Sequence, residues 1–240
     1  MKKTILWLLA GGLLVQNAYA EDEVVTKIST GLFYASGQSQ TFGSSDSTLY
    51  SVPFLVSWKY NRFRASLSTA YLNVDNRFPD LGTTVKANGM GDTTVSLGYD
   101  LTEAPWLTLK VKHKFATGNK DDGLSTGKDD TSVQLDYFAP VNTKTSAFAT
   151  LGYKFVGKVD GYTMQDSAYG SVGVAYLFPT KTSVGISADY RQTTYTNLKD
   201  QTGGSLFVSQ KVSKAWSVSG FGSYDNTETT SLGLTVTRKF

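Results

Sequence analysis

For most of its length this chain alternates apolar and polar residues with a period of two, in segments of about ten residues. That pattern suits a strand with one apolar face and does not suit a helix. Residues 50–60 show it most cleanly: Tyr50, Val52, Phe54, Val56, Trp58 and Tyr60 share one face, and Ser51, Pro53, Leu55, Ser57 and Lys59 share the other. Leu107, Leu109, Val111 and Phe115 likewise oppose Thr108, Lys110, Lys112 and Lys114, and Val184, Ile186, Ala188 and Tyr190 oppose Ser183, Gly185, Ser187, Asp189 and Arg191. Similar segments recur to Leu232, Leu234, Val236 and Phe240, and the least regular is the first, near residues 24–36. About twelve strands are expected. Pro53 lies within one of them, where it cannot donate to a ladder. The expectation there is a bulge or a later start to the strand.

The connections alternate in length. Those near Asn61 and at 102–105, 140–144, 179–182 and 213–214 are short, whereas 37–48, 74–91, 117–130, 157–167 and 196–203 are long; the sixth on that side, near 225–228, is short. Short turns on one side and long loops on the other are the habit of outer-membrane barrels. Aromatic residues sit at the ends of the apolar faces (Tyr60 and Phe63, Tyr153 and Phe155, Tyr176 and Phe178), as two membrane interfaces would favour. In lipid every backbone donor needs a partner, and only a closed barrel leaves no sheet edge. The sequence therefore predicts an all-β, transmembrane, antiparallel up-and-down β-barrel of the outer-membrane type, rather than a secreted sandwich.

The first residues fit that destination. Met1-Lys2-Lys3, an apolar run from Ile5 to Val15 and an Ala18-Tyr19-Ala20 site form the pattern of a secretory signal peptide, and the run is too short for a spanning helix. Residues 1–20 are expected to be cleaved, with 21–240 a single barrel domain. Outer-membrane lipid and the export and barrel-assembly machinery would be its partners. The chain has no cysteine and a formal net charge of +3, so neither disulfides nor nucleic-acid binding is indicated.

If the apolar face meets lipid, the other face lines the interior. Lys59, Arg64, Lys110, Lys112, Lys114, Lys154, Arg191 and Lys211 carry that parity, against Asp100, Asp136 and Asp189. These are the candidate pore-lining residues. Their basic excess would favour small anions in a wet lumen, unless Lys and Asp pair across strands and fill it. A barrel of twelve strands falls between the filled eight-stranded and the open larger barrels. Loop 74–91, with Phe78, Pro79, Leu81 and Met90, could fold inward and constrict it. In loop 117–130, Asp121, Asp122, Asp129 and Asp130 do not match a calcium loop and read as a solvated surface.

Gly89-Met90-Gly91-Asp92, Lys114-Phe115-Ala116-Thr117-Gly118, Gly123-Leu124-Ser125-Thr126-Gly127-Lys128-Asp129-Asp130 and Leu151-Gly152-Tyr153-Lys154-Phe155 together resemble the outer-membrane family of the phenol-degradation meta-pathway. The resemblance covers roughly residues 85–160, and the family usually has Pro where Ala116 stands. It implies a barrel and passage of small compounds, aromatic ones included, and it transfers no residue of established role. No cofactor or metal site is indicated: the chain has one histidine and no cysteine. That histidine, His113, shares the lipid-facing parity of Leu109 and Val111, and a lipid hydrolase would require a serine beside it. The leading expectation is a channel or transporter for passive diffusion of small solutes. The alternatives are a non-conducting barrel acting as anchor or surface receptor, and a lipid-acting hydrolase.

Overall fold

The computed structural model describes residues 24–39, 45–78 and 82–240. The expected signal peptide, Pro79 and Leu81 lie outside the described residues. Thirteen strands form one antiparallel sheet: β1 (Val25–Ser39), β2 (Ser45–Tyr60), β3 (Phe63–Phe78), β4 (Thr83–Met90), β5 (Thr93–Glu103), β6 (Trp106–Phe115), β7 (Asp130–Pro140), β8 (Thr145–Val156), β9 (Ser167–Leu177), β10 (Thr182–Arg191), β11 (Gln201–Lys211), β12 (Trp216–Asp225) and β13 (Thr230–Lys239). Apart from β4 and β5, which both pair with β3 and not with each other, each strand pairs with its sequence neighbours, and β1 pairs with β13, so the sheet closes on itself.

The expected twelve strands are present, with one strand beyond them. β3 pairs first with β5 (Phe63↔Tyr99 to Ser68↔Thr94) and then with β4 (Tyr71↔Met90 to Phe78↔Thr83). The register changes by one residue between the two ladders, as at a β-bulge. β4 and β5 are thus the two halves of one arm, kinked at Gly91-Asp92, and the barrel has twelve arms. The expected long loop 74–91 is mostly the β3–β4 hairpin, and the expected loop 37–48 is mostly the upper part of the β1–β2 hairpin. Crossing a bilayer takes roughly 9–11 tilted residues. β1 has 15 residues, and β2 and β3 have 16 each. Their surplus stands clear of the membrane on the long-loop side. The turns on the other side fall where the sequence placed them, between the strand ends at 60 and 63, 103 and 106, 140 and 145, 177 and 182, and 211 and 216.

Pro53 neither bulges nor delays its strand. β2 runs through it, and Pro53 pairs with Ala70 of β3 in an unbroken ladder. Only the ladder to β1 is interrupted, between Thr30↔Phe54 and Phe33↔Ser51, with no change of register. The missing N–H therefore costs pairing on one side alone.

The outer surface carries the residues that a soluble protein would bury. Leu32, Phe63, Leu97, Leu151, Val172, Ile186 and Leu206 are all exposed, and the alternate residues face inward. Arg238 has the lipid-facing parity of Leu234 and Val236, which a charged residue should not take. It lies over Trp216, 5.5 Å from the ring centroid, and over Phe240 at 4.5 Å. The turn side of the barrel is an interface where a guanidinium can stack on aromatics and still reach water. Leu151 is 68% exposed in the middle of β8. Leu151→Arg is expected to destabilise the barrel by about 2–4 kcal/mol in lipid vesicles, read by urea unfolding. A change near zero would place that face in water.

Candidate functional site: the barrel interior

The inner wall is organised in rows, because residues paired across antiparallel strands lie side by side. One row is acidic and hydroxylic: Asp100 pairs with Thr108, Thr108 with Asp136, Asp136 with Thr150, Thr150 with Ser171 and Ser171 with Asp189. The next row is basic: Lys59 pairs with Arg64, Arg64 with Gly98 and Gly98 with Lys110, and it continues through Gln134, Gly152 and Tyr169 to Arg191.

Adjacent rows of opposite sign bind each other. Asp100 accepts from Arg64 Nε at 2.6 Å and Nη2 at 2.8 Å, takes a bond from the Thr108 hydroxyl at 2.7 Å, and lies 3.2 Å from Lys59 Nζ. Lys110 Nζ lies 2.6 Å from Asp136. The pairing that the sequence left open is therefore realised for Lys59, Arg64 and Lys110. Asp189 accepts from the hydroxyls of Ser187 and Ser205, the latter at 2.6 Å, and lies within electrostatic reach of Arg191. Lys154 feels Asp130, Arg191 and Lys114. Lys211 is exposed at the end of β11 and joins none of these groups.

Lys112 differs from its neighbours. Its ammonium donates to Gln134 Oε1 at 2.6 Å, and among the described residues no carboxylate lies within ion-pair distance of it. Gln134 is itself fully engaged: Oε1 also accepts from Tyr169 Oη at 3.0 Å, and Nε2 donates to Asp136 at 2.6 Å. Lys112 is thus a half-buried ammonium held between two saturated lysines by a neutral partner.

Lys114 is the most buried of the three. Its Nζ lies 2.9 Å from Asp92 and 3.4 Å from Asp130, and donates to the Lys128 carbonyl at 3.0 Å. Asp92 and Asp130 are partners that parity reading missed. Asp130 was assigned to a loop but begins β7, and Asp92 sits at the kink of the fourth arm. Asp225, the last residue of β12, is a third inward carboxylate, bonded by Gln201. With these three included, the interior is much closer to neutral than its lysines suggest.

The ion pair pins a loop. Residues 116–129 turn back into the barrel, where Ala116 N donates to Asp129 and Gly118 N to Asp92. Leu124 joins a buried apolar cluster with Phe33, Ala35, Leu49 and Leu72. Gly89 has φ +146°, and a Cβ there would fall 2.8 Å from the Leu124 side chain. The inward loop is therefore 117–130 and not 74–91. Its carboxylates do not gather: Asp122 accepts from the Asn119 side chain, Asp129 and Asp130 bind the chain as above, and the described residues hold no group of three metal-ligating side chains.

A third kind of row is aromatic. Trp106, Phe138 and Phe148 are cross-strand partners, with Trp106 and Phe138 centroids 5.6 Å apart. Phe148 contacts Phe207 at 5.8 Å, Phe207 pairs with Phe221, and Phe221 contacts Phe33 at 6.0 Å. Glycines make room: a Cβ at Gly173, Gly185 or Gly233 would lie 2.3 Å from Phe148, 2.3 Å from Phe207 or 2.1 Å from Phe221. The rings occupy the space of the missing side chains. Because strands tilt in a barrel, this path climbs from the turn side at Trp106 to the Leu124 cluster.

The family model described as "Putative MetA-pathway of phenol degradation" matches residues 17–240. The chain belongs to this family. Its fold is shared by an outer membrane channel of Pseudomonas putida F1, at 16% identity and a TM-score of 0.69, over 93% of this chain and 97% of that one. The KdgM porin, solved with disordered oligogalacturonate, matches at 14% identity and a TM-score of 0.59, over 89% and 99%. The CymD monoaromatic hydrocarbon channel matches at 9% identity and a TM-score of 0.50, over 92% and 88%. No curated protein matches significantly by sequence. The closed barrel with its apolar exterior is that of an outer-membrane protein, and the solved structures that share it are channels and a porin, not enzymes. The ring of His113 bonds Thr131 at 2.9 Å, lies 3.6 Å from Asp129 and stacks edge-on against Phe115.

Proposed function

We propose that the protein is an outer-membrane channel for passive diffusion of small solutes, with a preference for anionic and aromatic compounds. The observation that carries this reading is Lys112, an inward ammonium whose hydrogen-bond partner is a neutral amide, with the charge of Lys110 beside it and Asp136, already bonded to Lys110, within electrostatic reach. Such a group attracts a mobile anion in a way that the paired Lys59, Arg64 and Lys110 do not. The aromatic row gives the interior an apolar surface as well. The N-terminal signal pattern supports export by the secretory route.

The test is single-channel conductance and ion selectivity of the mature protein in a planar bilayer, alone and with Lys112→Gln and Lys154→Gln. Steady conductance is expected, with an anion preference that weakens in each variant. Anion selectivity untouched by either change would remove the basic interior from the reading. One observation favours a second reading, a non-conducting barrel: loop 117–130 packs inside the wall at the long-loop side. Silence in every preparation would decide for it.

A further inference from the structure

The aromatic row and Lys112 face each other. Counting β4 and β5 as one arm, β12, β13 and β1 stand half a turn of the barrel away from β6, β7 and β8. The first group presents Phe221 and Phe33, with Gly233 between them, as an apolar wall. The second presents Lys112 and Gln134, with Lys154 beside them. The interior is therefore two-sided at this height, apolar on one wall and cationic on the other.

We infer that this pair of walls is a binding site for an amphipathic organic anion, an aryl-alkyl carboxylate, whose acid group sits on Lys112 and whose ring rests on Phe221. The inference rests on the channel reading above and narrows its solute class. Two arguments select this occupant. A carboxylate supplies Lys112 with the countercharge that the neutral Gln134 does not give. An aromatic body gains edge or offset contact with the Phe221 and Phe33 rings, which a small inorganic anion does not. A neutral hydrocarbon would leave the ammonium without an ion partner, and a compact anion would leave the rings bare. The same rings continue as a path through Phe207 and Phe148 to Trp106 at the turn-side mouth, so a ring released from Phe221 meets another surface of its own kind.

The mature protein in lipid nanodiscs would be titrated with 3-phenylpropionate, propionate and 3-phenylpropanol, with empty nanodiscs as the control for partition into lipid. The wild type is expected to bind 3-phenylpropionate at least about tenfold tighter than either other probe, the ratio that one charge-assisted or one ring contact supports. Lys112→Gln should erase the preference for the acid over the alcohol and keep the preference for the aryl over the alkyl acid. Phe221→Ala should do the reverse. If Phe221→Ala fails to fold, as judged by heat-modifiable migration, Phe207→Ala carries the same expectation in weaker form. Equal binding of the three probes, or preferences that survive both substitutions, would overturn the site. Conductance of the same samples separates the two readings. Selective binding in a silent barrel would support the site and overturn the channel, whereas conductance with indifferent binding would overturn the site and keep the channel.

Discussion

Lys114→Met is expected to cost the folded barrel about 3–5 kcal/mol, the usual consequence of removing one partner from a buried ion pair. The wild-type ammonium is 5% exposed and bridges Asp92, also 5% exposed, and Asp130, 10% exposed. Without it, Asp92 loses its ammonium partner, Asp130 keeps only the field of Lys154, and Lys128 loses a donor on its carbonyl. One carboxylate must then take up a proton or the loop must let water in. Urea unfolding in lipid vesicles would read the loss, and the double variant Lys114→Met, Asp92→Asn should recover part of it by removing the uncompensated charge. A loss below about 1 kcal/mol would mean that the pair is solvated like a surface bridge.

The second expected result concerns Leu124. Leu124→Asp places an unpaired carboxylate against Phe33, Leu49 and Leu72, where an ionised group is strongly disfavoured. It also forfeits the apolar contacts of a buried leucine, a loss of about 2–5 kcal/mol in well-packed cores. The loop should leave the interior. Trypsin would then cut after Lys120 or Lys128 in protein that resists it as wild type, and single-channel conductance should rise severalfold. A variant that stays trypsin-resistant and conducts like the wild type would show that Leu124 does not hold the loop in place.

The sequence disclosed the barrel well because its physics is local. Period two, the turn at Asn61-Arg62 and the apolar face of Leu151, Tyr153 and Phe155 need no knowledge of distant partners. The inner face was harder to read. Phe33, Ala35, Leu49 and Leu72 carry the inward parity yet are apolar, which is why the first segment looked irregular; that lapse in alternation was the signal of an apolar cluster inside the wall. Nothing local told that Leu124 completes the cluster, since its contacts come from β1, β2 and β3. Parity puts the basic residues on one face of their strands, but it does not name their partners. Asp92 lies at a kink where the parity changes, and Asp130 looked like loop because it follows Lys128 and Asp129. The aromatic row was equally hidden. Trp106, Phe138, Phe148, Phe207 and Phe221 lie on different strands, and only the register between strands makes them neighbours.

The pairing of β1 with β13 fixes the order in which this molecule can be made. Lys27 lies opposite Lys239 and Ile28 opposite Arg238, so the first strand waits for the last ten residues before its outer edge is covered. Until then both edges of a growing sheet stay open, and in a bilayer each open edge is a line of amides without partners. Closure is thus a single late event rather than a gradual gain. A chain stopped short of β13 lacks the seam altogether, and every other strand pair, however well formed, cannot replace it.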